Sequence, residues 1–181
     1  MTATEVLKKE HKIVLLVLNG AEREAKAIQD TNKINVEKIS QMIDFFRNFT
    51  DKCHHAKEEK YLIVKMAERG ISSESKPVTF LLKEHVKGRE KVKAIAEALP
   101  KAKKGDSSAI KSVKDNLFTY VQLLRGHIDR EDNILFPMAD RIFTPEDQEA
   151  LTEAFEKVEA EEMGEGVHEK YHKLAHELGE D

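Results

Sequence analysis

HHAKEEKYL at residues 54–62 and HIDREDNIL at residues 127–135 share the spacing His-x3-Glu-x3-Leu. Each follows a second shared motif ending in a lone histidine, LKKEH at 7–11 and LLKEH at 81–85. The intervals nearly agree, 43 residues from His11 to His54 and 42 from His85 to His127. Self-similarity at a fixed interval marks two copies of one supersecondary unit. Here the unit reads as a helical hairpin carrying His on its first helix and His-x3-Glu on its second. Residues four apart on an α-helix lie roughly 6 Å apart along the axis and about 40° apart around it. Both donors of each pair can therefore face one interior point.

That point predicts a metal site built from His11, His54, Glu58, His85, His127 and Glu131. Imidazole nitrogen and carboxylate oxygen suit divalent iron, manganese or zinc, and a carboxylate can bridge two ions through its two oxygens. Two such glutamates imply two ions, each taking two histidines, with positions left for a solvent-derived bridge and a small ligand. At about 100° per residue, the stripe Ile43, Phe46, Phe49, Cys53 and Tyr61 lies nearer to His54 and Glu58 than to His55 and Glu59. On the fourth helix Glu131 groups with Tyr120, Leu124, His127, Ile134 and Met138, leaving Asp132 as second choice. Glu10 and Glu84 read as solubilising charges and Cys53 as a small core residue.

Working outward, the 181 residues are 40% hydrophobic and 35% charged, with only 8 Gly and 4 Pro, the balance of amphipathic helices. Periodicity and breakers predict a helix over about 5–29 capped by Thr4, a second from about Val36 to Arg69 stopped by Gly70, and a third from about Val78 to Leu99 ended by Pro100. A fourth runs from about Ala109 to Phe143, bent by Pro137. A fifth starts at the Thr144 cap and ends near Gly164–Gly166, before a short last helix. The expected fold is all-α: an antiparallel up-down four-helix bundle over residues 1–143, with a helical extension over 144–181 packed on it.

The longest apolar run, Ile13–Leu18, is too short to span a bilayer, and the N-terminus lacks the pattern of a signal peptide, so the chain is expected to be cytoplasmic. Cys53 has no partner for an internal disulfide. The net charge of −4, with signs interspersed, leaves no basic surface for nucleic acid.

His11, HHAKEE, EHVKGRE and HIDREDNILFP, in this order over roughly residues 4–142, resemble the hemerythrin-like (HHE cation-binding) family. The resemblance implies an oxo- or hydroxo-bridged centre of two iron ions that binds dioxygen, nitric oxide or peroxide. Oxygen-carrying relatives place a further histidine four residues after the third-helix ligand, where this chain has Arg89. That substitution implies a more open iron with one nitrogen ligand fewer, unless His168, Tyr171 or His172 of the tail completes the site. The expected function is a non-haem di-iron protein that binds or reduces a small oxidant for sensing or detoxification. Iron storage or delivery, iron-sulfur repair and a structural zinc site are the alternatives. The ferritin-like class, built on Glu-x-x-His and mainly carboxylates, fits less well.

Overall fold

Side-chain caps mark where four of the helices begin. Thr2, two residues ahead of the expected cap, accepts from the Glu5 amide, while the Glu5 carboxylate accepts from the Thr2 amide, a reciprocal capping box. Thr4 is instead buried in the first turn, where its hydroxyl donates to Asp140 at 2.6 Å. Asp106 caps a helix that starts at Ser107, ahead of the expected Ala109. Thr144 is the cap, as expected, and forms a capping box with Asp147.

The computed structural model describes residues 1–180, which form six helices and no strand among them. They are α1 (Ala3–Thr31), α2 (36–68), α3 (Lys76–Lys103), α4 (107–142), α5 (145–163) and α6 (Val167–Gly179). α3 runs through Pro100, past the expected stop. Proline's fixed φ is itself helical, and burial of Leu99 and Ala102 in the core holds the last turn until Gly105, at φ +90°.

Four stretches are π-helical, 159–163 in α5 and, at predicted ligands, 46–55 and 58–62 in α2 and 131–135 in α4. In the latter three the amides of Ala56, Ile63 and Phe136 donate to the carbonyls of Asp51, Glu58 and Glu131, each five residues back. Pro137 follows the wide turn of α4 and the helix continues to Ile142.

α4 lies against α1 and α3, α2 touches α1 and α3, and α5 and α6 pack on α1 and α2. Where α6 crosses α1, glycines let the backbones meet: a Cβ on Gly179 would lie 2.6 Å from the Leu16 carbonyl oxygen, and one on Gly20 would overlap the Leu178 carbonyl. No helix among the described residues is long and apolar enough to cross a membrane.

The apolar core has two parts. One gathers Val14, Val17, Phe46, Phe49, Val92, Leu124 and Tyr171. The other gathers Leu7, Leu62, Leu81, Leu135, Phe136 and Phe155. On each of the first four helices the predicted polar residues fall between these two clusters: His11 between Leu7 and Val14, His54 and Glu58 between Phe49 and Leu62, His85 between Leu81 and Val92, and His127 and Glu131 between Leu124 and Leu135.

Candidate metal centre

All six predicted side chains are buried, none more than 2% exposed, and they converge in the gap between the two apolar clusters. His55 joins them, although 100° per residue turns it away from that face. The π turns of α2 rotate less per residue, because each closes over one residue more. Adjacent His54 and His55 can therefore both point inward.

The donors fall into two sets whose ligand atoms lie within 4.8 Å of one another: His55, Glu58, His85 and His127, and His11, His54, Glu58 and Glu131. Glu58 belongs to both. Its Oε1 is 3.1 Å from His54 Nε2 and its Oε2 is 3.2 Å from His85 Nε2. Glu131 Oε1 lies 3.8 Å from His11 Nε2 and contacts His127 Nε2. The expected two histidines per ion are replaced by three in one set and two in the other.

Each of the five imidazoles turns Nδ1 toward a carboxylate. His11 faces Asp132 at 2.7 Å, His54 faces Glu10 at 3.1 Å, and His55 faces Asp51 at 3.3 Å. His85 faces Glu59 at 2.7 Å and His127 faces Glu84 at 3.3 Å. An Nδ1–H donated outward fixes the tautomer that leaves Nε2 as the inward lone pair. Glu10 and Glu84, expected as solubilising charges, are thus buried partners of histidines. Asp132, the second choice to Glu131, orients His11 while Glu131 occupies the interior. The repeat carried a signal for Glu10 and Glu84, since each directly precedes the histidine of its motif.

This donor set fits cations and fits poorly without them. His11 Nε2, His54 Nε2 and all four oxygens of Glu58 and Glu131 are buried with no hydrogen-bond partner, a costly state for polar groups. His85 and His127 bring their Nε2 atoms to 3.2 Å, close to the roughly 3 Å between neighbouring donors on one ion with bonds of about 2.0–2.1 Å. Burial, then the charge of Glu131, pushes the Glu58 carboxyl above the usual carboxylate range. Burial, then the charge of His85, holds His55 well below the usual imidazole range and hence neutral.

Arg89, which stands where the expected histidine is missing, donates to both Asp51 and Glu59 at 2.9 Å. It therefore holds the two carboxylates that orient His55 and His85. A cavity of about 150 Å³ beside it is lined by Phe46, Tyr120, His55 and His85.

The tail does not complete the centre. His168 Nε2 lies 3.6 Å from Glu10 and 3.5 Å from Glu159, and His172 stands edge-on to Phe49. Tyr171 donates to Asp44 at 3.0 Å. The fifth imidazole comes from α2 instead. Glu10, Cys53 and His168 also lie close enough to share an ion. The fully buried Lys57 already supplies a cation to Glu10 at 2.6 Å and Glu159 at 2.7 Å, and burial pushes the Cys53 thiol up to about 12.

Two uncharacterized proteins of Mycobacterium tuberculosis strains and one of Mycobacterium bovis are each 23% identical over 166 residues, 91% of this chain. The match spans 64% of the length of those relatives. No solved structure matches. The profile of the hemerythrin HHE cation binding domain matches residues 2–139. The chain therefore belongs to the hemerythrin HHE cation-binding domain family.

Proposed function

We propose that this chain is a non-haem di-iron protein that binds or reduces a small oxidant, dioxygen, peroxide or nitric oxide, for sensing or detoxification. Its ligands would be His55, His85 and His127 on one ion and His11 and His54 on the other, with Glu58 and Glu131 between them, inside an up-down four-helix bundle. The observation that carries the reading is five buried imidazoles, each with Nδ1 on a carboxylate, around two glutamates whose oxygens have no partner. Two such ions supply redox equivalents and open positions for a small ligand.

The chain's own residues would do the rest. Glu58 and Glu131 offset the positive charge and hold the pair together. The five outer carboxylates raise imidazole basicity and fix ring orientation. The apolar clusters on either side keep bulk water away, which strengthens every electrostatic contact within. The His11 and His54 set has one imidazole fewer and one carboxylate more than its neighbour, so the two ions would sit in chemically different surroundings.

Elemental analysis of protein purified from iron-replete cells is expected to give two irons per chain. Its near-ultraviolet charge-transfer bands should change on adding azide, peroxide or nitric oxide. Zinc alone, or spectra indifferent to all three ligands, would reject the reading.

A further inference from the structure

A pocket of about 430 Å³ opens between α3 and α4 and runs inward to His127 and Glu131, each 2% exposed. Its walls include Phe80, Leu81, Ile134 and Leu135. A diatomic or peroxide needs little more room than a water, whose share of liquid volume is roughly 30 Å³. This pocket falls instead in the range of sites for organic ligands, roughly 300–1,000 Å³.

The chemistry of the walls narrows the ligand. Phe80 and Ile134 are 51% and 52% exposed. Single exposed apolar side chains are ordinary, but these two flank one concavity whose inner end is buried. The Arg130 guanidinium lies 5.0 Å over the Phe80 ring and pairs with Glu84, so it forms part of the wall with its charge already matched. Lys76 and Lys83 line the same pocket from exposed positions on α3. The result is a largely apolar cleft with two lysines along its α3 side.

We propose that this pocket binds an organic anion with an extended apolar body, of the medium-chain carboxylate class, its head group at Lys76 and Lys83 and its apolar body along Phe80, Leu81, Ile134 and Leu135. The volume of the pocket and its contact with the buried His127 and Glu131 favour a small molecule over a protein surface lying across α3 and α4. The inference deepens the di-iron reading, because the inner end of the pocket is that centre, but binding itself does not require the metal.

The test is calorimetric titration of the purified full chain with decanoate, decanol and butyrate, with metal content measured on the same sample. Decanoate is expected to saturate one site per chain, tighter than decanol by at least tenfold, and butyrate not to bind. Ile134→Glu, at an exposed position, should weaken decanoate at least tenfold while circular dichroism stays unchanged. The double change Lys76→Glu and Lys83→Glu should weaken decanoate at least tenfold and leave decanol unaffected. No saturable binding, equal affinity for decanoate and decanol, or indifference to Ile134→Glu would each overturn the proposal. So would a dimer that Ile134→Glu dissolves, since a second copy would then be the occupant. Decanoate binding by a chain that takes up no iron would leave this inference standing and sink the di-iron reading; the converse result would do the opposite.

Discussion

Arg89 reaches from α3 to α2, where one guanidinium engages Asp51 and Glu59, and through them fixes the rings of His55 and His85, which stack with centroids 3.8 Å apart. The arginine is 41% exposed in its side chain, so the ion pairs by themselves contribute little to stability. Their effect is on geometry. Arg89→Ala is expected to leave the far-ultraviolet circular dichroism intact and to weaken metal binding about 10- to 100-fold, the usual cost of losing support behind a ligand. Competition against a chelator of known affinity reads this directly, and Arg89→Lys should recover only part of the loss, because one ammonium lacks the fork that reaches two carboxylates. Affinity equal to that of the parent protein would mean that Asp51 and Glu59 hold the histidines unaided.

The helices are continuous but not uniform, and three of the four π segments hold ligand candidates: those of α2 contain His54, His55 and Glu58, and that of α4 begins at Glu131, while that of α5 holds none. A wide turn is less favourable than an α turn and tends to occur at functional sites. Elsewhere the elements are matched by close approach, as where Gly20 of α1 faces the end of α6. In an ordinary helix interior, Gly→Ala stabilises by about 1 kcal/mol. Gly20→Ala is expected to have the opposite sign, destabilising by about 1–3 kcal/mol as an overpacked contact. Hydrogen exchange in residues 167–179 should speed up in the variant. A gain in stability by urea denaturation would show that α6 does not depend on this contact.

Across the whole molecule, a belt of imidazoles and carboxylates divides the apolar core in two. The unpartnered oxygens of Glu58 and Glu131 and the crowded nitrogens around them make the cation-free interior costly. Ion binding to the folded chain alone adds stability by mass action, about 2.7 kcal/mol when the free ion is at 100 times Kd. Stripping the protein of metal with a chelator should therefore lower Tm, and readdition of the ion removed should restore it. An unchanged Tm after verified metal loss would show that the belt is stable without ions.

The sequence by itself determined the helical class and the places on the chain where polar side chains interrupt apolar stripes. Hairpin repeat, caps and stops are local: Thr144, Gly70 and the LKKEH and LLKEH motifs act within a few residues. It also drew His11, His54, Glu58, His85, His127 and Glu131 toward one point, because residues four apart share a helix face. Only the tertiary structure decided that His55 joins them, since the π turns that swing it inward break the 100° rule on which a sequence reading depends. The same holds for Glu10 and Glu84: a glutamate beside a histidine is solvated on an isolated helix, and becomes a buried partner only when a second helix closes over it. Helix periodicity is written in neighbouring residues, whereas coordination and burial are set by distances between residues far apart in the chain.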